Sequence, residues 1–132
     1  MKAILLTSHG RFCEGLLDAS RMILGETPHL YALALDDKGV DHFSHALDLL
    51  IGELNQKYDS LLILCDLKGG TPYNQSLKHV FQSDGNIKIL TGMNLPMILE
   101  IYPQLETAGL DDLVRKASET GKQAITGINE VL

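Results

Sequence analysis

Short apolar runs alternate along this chain with longer stretches in which apolar residues recur every three or four positions. Ala3 to Thr7 is compact and hydrophobic, and it predicts a buried strand. Phe12 to Leu24 places Leu16, Leu17, Ala19, Met22 and Ile23 at helical spacing, with Gly25 as a C-terminal stop. Leu30 to Leu35 is a second strand. Asp41 to Lys57 gathers Phe43, Ala46, Leu47, Leu50, Ile51 and Leu54 on one face of a helix, with Asp41 near its start. Ser60 to Cys65 is apolar on both faces, the pattern of a central parallel strand. Pro72 suits the first turn of a helix reaching about Gln82. Asn86 to Thr91 is a fourth strand. Leu95 to Glu106 and Leu110 to Thr120 have helical periods, with Gly121 as a stop, and Gln123 to Ile128 reads as a last strand.

This βαβαβαβ order with short connections predicts an α/β fold with a parallel sheet and helices on both faces. In such sheets the functional crevice lies beyond the carboxyl ends of the strands, where strand order reverses. A flavodoxin-like order 2-1-3-4 puts that point between the first and third strands. The loop after the first carries Ser8-His9-Gly10, and the loop after the third carries Asp66-Leu67-Lys68-Gly69-Gly70-Thr71-Pro72. The topology makes these two loops neighbours.

Composition narrows the function. The 132 residues suffice for one domain with a real core, and no repeat, linker or low-complexity segment divides them. The longest apolar stretch, Leu61 to Cys65, is far short of the roughly 20 residues that span a membrane. The start of the chain lacks a full signal-peptide layout, so a cytoplasmic location is expected. Net charge is −6, which disfavours a nucleic-acid surface. Cys13 and Cys65 form no CxxC pair and read as reduced, packed residues; so few thiolates argue against structural zinc.

Chemistry concentrates in the two neighbouring loops. A carboxylate that accepts the proton of one imidazole nitrogen fixes the tautomer and frees the other nitrogen to react. Asp66 directly follows a buried strand and is placed to do this for His9, although an aspartate there equally ends a strand or caps a turn. Gly69 and Gly70 let backbone amides converge, while Thr71 can cap the helix that Pro72 begins or offer its hydroxyl to an anion. A helix N-terminus suits a phosphate, and the helix after Gly10 offers a second such end. The alternative is a plain glycine turn with a capping threonine. No GxxxxGK[ST] pattern is present, which disfavours a P-loop nucleotidase.

Other residues weigh less. His42 and His45 stand one turn apart on a helix with no third ligand evident, and they read as solvated. His29 and His79 stand singly and read as surface residues. Tyr73 and Met93 read as packing residues, and Lys68 as exposed or as steering a negative group.

Taken together, these segments resemble the mannose-family IIA domains of the bacterial sugar phosphotransferase system. The marks are Ser8-His9-Gly10, Gly15 in the next helix, Asp66 through Asn74, and Thr91-Gly92-Met93-Asn94-Leu95-Pro96-Met97-Ile98-Leu99-Glu100. They cover nearly the whole chain, 1–132, as one domain. The resemblance implies that His9 carries a phosphoryl group on Nε2 and that Asp66 orients its ring through Nδ1. With the loop reading above, phosphate contacts are expected from Gly10, Gly69, Gly70 and Thr71. The phosphoryl donor would be phospho-HPr and the acceptor a IIB protein, with the membrane IIC and IID subunits engaged indirectly. The resemblance also implies a homodimer exchanging a C-terminal antiparallel strand, here Gln123 to Ile128. No cofactor or metal is expected, because the donor is already a phosphohistidine. The chain ends soon after the expected last strand, as in a free-standing IIA subunit. Lys68 stands where many relatives have an aromatic residue, and Cys13 where a small alanine is usual. Alternative readings are the subunit for dihydroxyacetone phosphorylation, a regulatory or non-catalytic binding module, and a histidine phosphatase. The last needs more phosphate-clamping arginines than Arg11, Arg21 and Arg115 provide.

Overall fold

A computed structural model describes residues 1–128. Four strands, β1 (Lys2–His9), β2 (Leu30–Leu35), β3 (Ser60–Cys65) and β4 (Ile87–Leu90), form one sheet in the order β2-β1-β3-β4. Every pairing is parallel, with Ile4 opposite both Leu30 and Leu62, and Leu62 opposite Lys88. The order reverses between β1 and β3, as the alternation of elements predicts.

Among the described residues five helices cover the two faces: α1 (Phe12–Leu24), α2 (Val40–Lys57), α3 (Thr71–Gln82), α4 (Leu95–Ile101) and α5 (Leu110–Gln123). The pleat sends alternate residues of β1 and β3 to opposite faces, so an apolar run feeds two cores. Ile4, Leu6, Leu62 and Leu64 pack against Leu16 of α1, Ile98 of α4 and Leu113 of α5. Leu5, Leu61 and Ile63 meet Phe43, Leu47 and Ile51 of α2. Burying each such side chain stabilises by about 1.5–3 kcal/mol. The two central strands are thereby fixed from both sides, and so are the residues that leave their carboxyl ends.

Several boundaries differ from the sequence expectation. His9 is the last residue of β1 rather than part of the turn, because its pairing with Leu35 extends the ladder by two residues beyond Thr7. The helix expected over Leu95 to Glu106 ends at Ile101 and continues as a 3-10 turn, Tyr102–Gln104, in which Pro103 removes a backbone donor. Gly121 does not stop α5. It is buried inside the helix, where a Cβ would lie 2.8 Å from the Met97 side chain and 3.4 Å from Asn94. Its absent side chain serves the close approach of α5 to the start of α4.

Gln123 to Ile128 is not a strand in this chain. Gln123 closes α5, and residues 124–128 join no ladder, without which an extended segment has no partner for its backbone groups. Among the described residues no helix is long and apolar enough to cross a membrane.

Candidate functional site

The carboxyl ends of β1 and β3 bring His9 and Asp66 together. The His9 ring Nδ1 lies 2.8 Å from Asp66 Oδ2, and the His9 backbone N–H donates to the same oxygen at 2.9 Å. The other carboxylate oxygen accepts from Leu67 N–H at 2.8 Å. Burial works to raise the Asp66 carboxyl, but the hydrogen bonds from the His9 ring, the His9 backbone and Leu67 outweigh it and hold the group below the usual carboxylate range. Asp66 is therefore an anion at neutral pH. An anionic carboxylate only accepts hydrogen bonds, so Nδ1 carries the proton, and in its neutral form the ring presents its lone pair at Nε2. The carboxylate is enclosed and the ring is open: their side chains are 13% and 46% exposed.

Glycine geometry shapes the surroundings of the ring. Gly10 adopts φ 58° and Gly69 φ 83°, which side chains resist. The Gly10 N–H donates to the Leu35 carbonyl at 2.7 Å. Gly10 thus contributes its turn, and its N–H is occupied by Leu35 rather than open for the phosphate contact expected of this residue. Gly70 is extended at φ −76°, and its importance is steric. A Cβ there would stand 2.6 Å from His9 Cε1 and 3.2 Å from Nε2. The imidazole thus lies directly over the Gly70 backbone.

Gly70 is also the residue before α3, so Nε2 sits at that helix's N-terminus. Thr71 is the first helical residue and makes no side-chain cap, so of its two expected roles the capping one falls away; Gly70 occupies the cap position instead. Asn74 holds the loop from inside α3, its N–H donating to the Gly70 carbonyl at 2.9 Å and its side chain to the Gly69 carbonyl at 3.0 Å. Met93 ties the loop after β4 to the same region through N–H donation to the Cys65 carbonyl at 3.1 Å.

The remaining sequence candidates lie elsewhere. His42 and His45 are exposed, and among the described residues no group of three or more potential ligands could hold a metal. His29 and His79, read as surface residues, are half-buried and partnered. His29 Nδ1 lies 2.8 Å from the Tyr58 hydroxyl, and His79 Nε2 lies 2.8 Å from Asp48 Oδ1. Both partners are about thirty residues away in sequence, beyond the reach of local pattern. Met93 is buried and Tyr73 half-buried, as their packing role requires, and Lys68 is exposed. Cys13 and Cys65 are free and buried, on opposite faces of the sheet. Burial raises the Cys13 thiol and pushes the Cys65 thiol up to about 12. Neither is a ready thiolate.

The fold and the site define a flavodoxin-like α/β protein with a carboxylate-paired histidine at its topological switch point. Residues 3–118 match the family described as the PTS system fructose IIA component, and the chain belongs to this mannose-type IIA family of the sugar phosphotransferase system. It is 27% identical to the fructose-specific EIIA component of Bacillus subtilis (strain 168), over 100% of this chain and 90% of that protein. The EIIA structure from Streptococcus agalactiae superposes with a TM-score of 0.86 at 26% identity, covering 96% of this chain and 97% of that one. The PTS IIA protein associated with the fucose utilization operon of Streptococcus pneumoniae superposes with a TM-score of 0.80 at 30% identity, covering 89% of each chain. Family membership removes the histidine phosphatase alternative.

Proposed function

We propose that His9 is a transient phosphoryl carrier that accepts its group from phospho-HPr and passes it to a IIB protein. The observation that carries this reading is the 2.8 Å contact of Nδ1 with Asp66 Oδ2, which favours the proton of a neutral ring at Nδ1 and its lone pair at Nε2. The Nε2 lone pair attacks phosphorus in line, a new N–P bond forms as the donor's N–P bond breaks, and the donor imidazole leaves with the electron pair. Asp66 keeps the Nδ1 proton in place and stabilises the positive charge that develops on the ring. The amides of the first turn of α3, the Thr71 hydroxyl and the Gly69-Gly70 backbone face the phosphoryl oxygens. Return of the group to the next acceptor follows the same path in reverse, so neither ATP nor a metal takes part.

The reading includes a cytoplasmic homodimer of this one domain, coupled through its IIB partner to the membrane IIC and IID subunits. Ile125 and Ile128 are exposed after α5, and β4 is an outer strand of the sheet. Exchange of this segment onto β4 of a second copy would cover these residues and pair that edge.

The test is incubation with phosphoenolpyruvate, Enzyme I and HPr. Wild-type protein gains one acid-labile phosphoryl group, and His9→Ala gains none. Labelling that persists in His9→Ala would remove His9 from the role.

A further inference from the structure

The Ser8 hydroxyl is used twice at the point where β1 gives way to α1. Ser8 is fully buried. Its Oγ donates to the Gly10 carbonyl at 2.9 Å and accepts from the Cys13 N–H at 2.8 Å. Helix α1 has no capping side chain of its own, since the residue before it, Arg11, makes no such bond. Ser8 therefore satisfies an open amide of the first turn of α1 from three residues further back than an ordinary cap. The same oxygen reaches across His9 to hold the far side of the turn.

His9 is bracketed as a result. On one side its N–H is bound by Asp66 Oδ2, and beyond it the Gly10 N–H is bound by Leu35 and the Gly10 carbonyl by Ser8. The bracket matters because one carboxylate oxygen receives both the backbone N–H and the ring Nδ1 of the same residue. That double contact exists only for a narrow set of backbone and χ1 angles. A turn free to relax at Gly10 would change those angles.

We propose that Ser8 is a positioning residue for phosphoryl transfer: its hydroxyl locks the His9-Gly10 turn so that the ring stays in the tautomer with its lone pair at Nε2. The inference rests on the phosphoryl-carrier reading above, and its consequence for the ring can be read without any transfer. Loss of the hydroxyl lets the ring leave Asp66 part of the time. The free fraction then samples both tautomers, and the productive fraction falls. Misplacement of a reacting group by about 1 Å costs up to roughly a hundredfold in rate.

The experiment compares wild type with Ser8→Ala, Ser8→Cys and Ser8→Thr in two readouts. The first is the 15N shift pair of the His9 ring in the unphosphorylated protein, and the second is the rate of transfer from phospho-HPr, scaled to the folded fraction. Wild type and Ser8→Thr should show a single tautomer protonated at Nδ1. Ser8→Ala and Ser8→Cys should show averaged shifts and transfer slower by roughly ten- to a hundredfold. Wild-type shifts and rates in the Ala and Cys variants would overturn the proposal. So would a rate loss in both that merely follows the loss of folded protein. Absence of phosphorylation in wild type would instead strike the carrier reading, while the ring shifts still decide the role of Ser8.

Discussion

Gly70→Ala separates the chemistry of the site from the stability of the fold. The backbone at Gly70 lies at φ −76° and ψ 169°, a conformation alanine adopts without strain. On the backbone alone, the substitution is neutral or stabilises by about 0.4–1 kcal/mol through the unfolded chain. The added methyl, however, would stand 2.6 Å from His9 Cε1, whereas ordinary contact begins at 3.4 Å. The ring must therefore give way by about 0.8 Å or more, and it is half exposed and free to do so. The loss falls on the 2.8 Å contact with Asp66. A hydrogen bond to a charged group is worth about 1.5–3 kcal/mol. At about 1.4 kcal/mol per factor of ten, transfer should slow by roughly ten- to a hundredfold. The assay is single-turnover transfer from phospho-HPr, with urea unfolding of the same preparations. The expected outcome is slow transfer in a protein whose stability falls by no more than the weakened contact, about 1.5–3 kcal/mol. Transfer at the wild-type rate would refute the placement of the ring over Gly70, and a large loss of stability would refute the claim that only the ring yields.

Three further outcomes follow from the same contacts. Asp66→Asn should fold and transfer slowly; its stability deficit against wild type should be fully present above the ordinary aspartate range near 4 and vanish as pH falls through the lowered native value, measured by urea unfolding across pH. Asn94→Ala removes the acceptor of the Met97 N–H at the start of α4 and the donor to the Gly121 carbonyl, and should cost about 1–2 kcal/mol in chemical denaturation. Cys13 and Cys65 should resist alkylation in the native protein at pH 8 and both react in urea, as mass spectrometry would show; rapid native labelling would contradict their burial.

The sheet was readable because Leu61 to Cys65 and Ala3 to Leu6 are apolar on both faces, a demand that only a covered parallel strand makes. His9 and Asp66 were readable for a related reason: each is the first ionisable residue after such a run, and strands β1 and β3 are adjacent. What escaped the sequence depends on contacts between distant segments. Gly121 carries the local mark of a helix end, yet Asn94 and Met97 lie against it, and the helix runs on. The role of Gly70 is set by where the His9 ring falls, which no spacing encodes. The engagement of the Gly10 N–H by the Leu35 carbonyl is likewise a contact between distant segments. The segment after α5 has the composition of a strand, but a strand is made by its neighbour.

The central claim is that Asp66 holds the Nδ1 proton of His9 and so directs phosphorus to Nε2. The most direct measurement is the 15N and 31P spectrum of the protein phosphorylated through Enzyme I and HPr, with the histidine rings 15N-labelled. The account predicts one phosphohistidine, bonded to phosphorus at Nε2 and protonated at Nδ1, and absent in His9→Ala. Phosphorus bonded to Nδ1 of His9, or to any other residue, would contradict it.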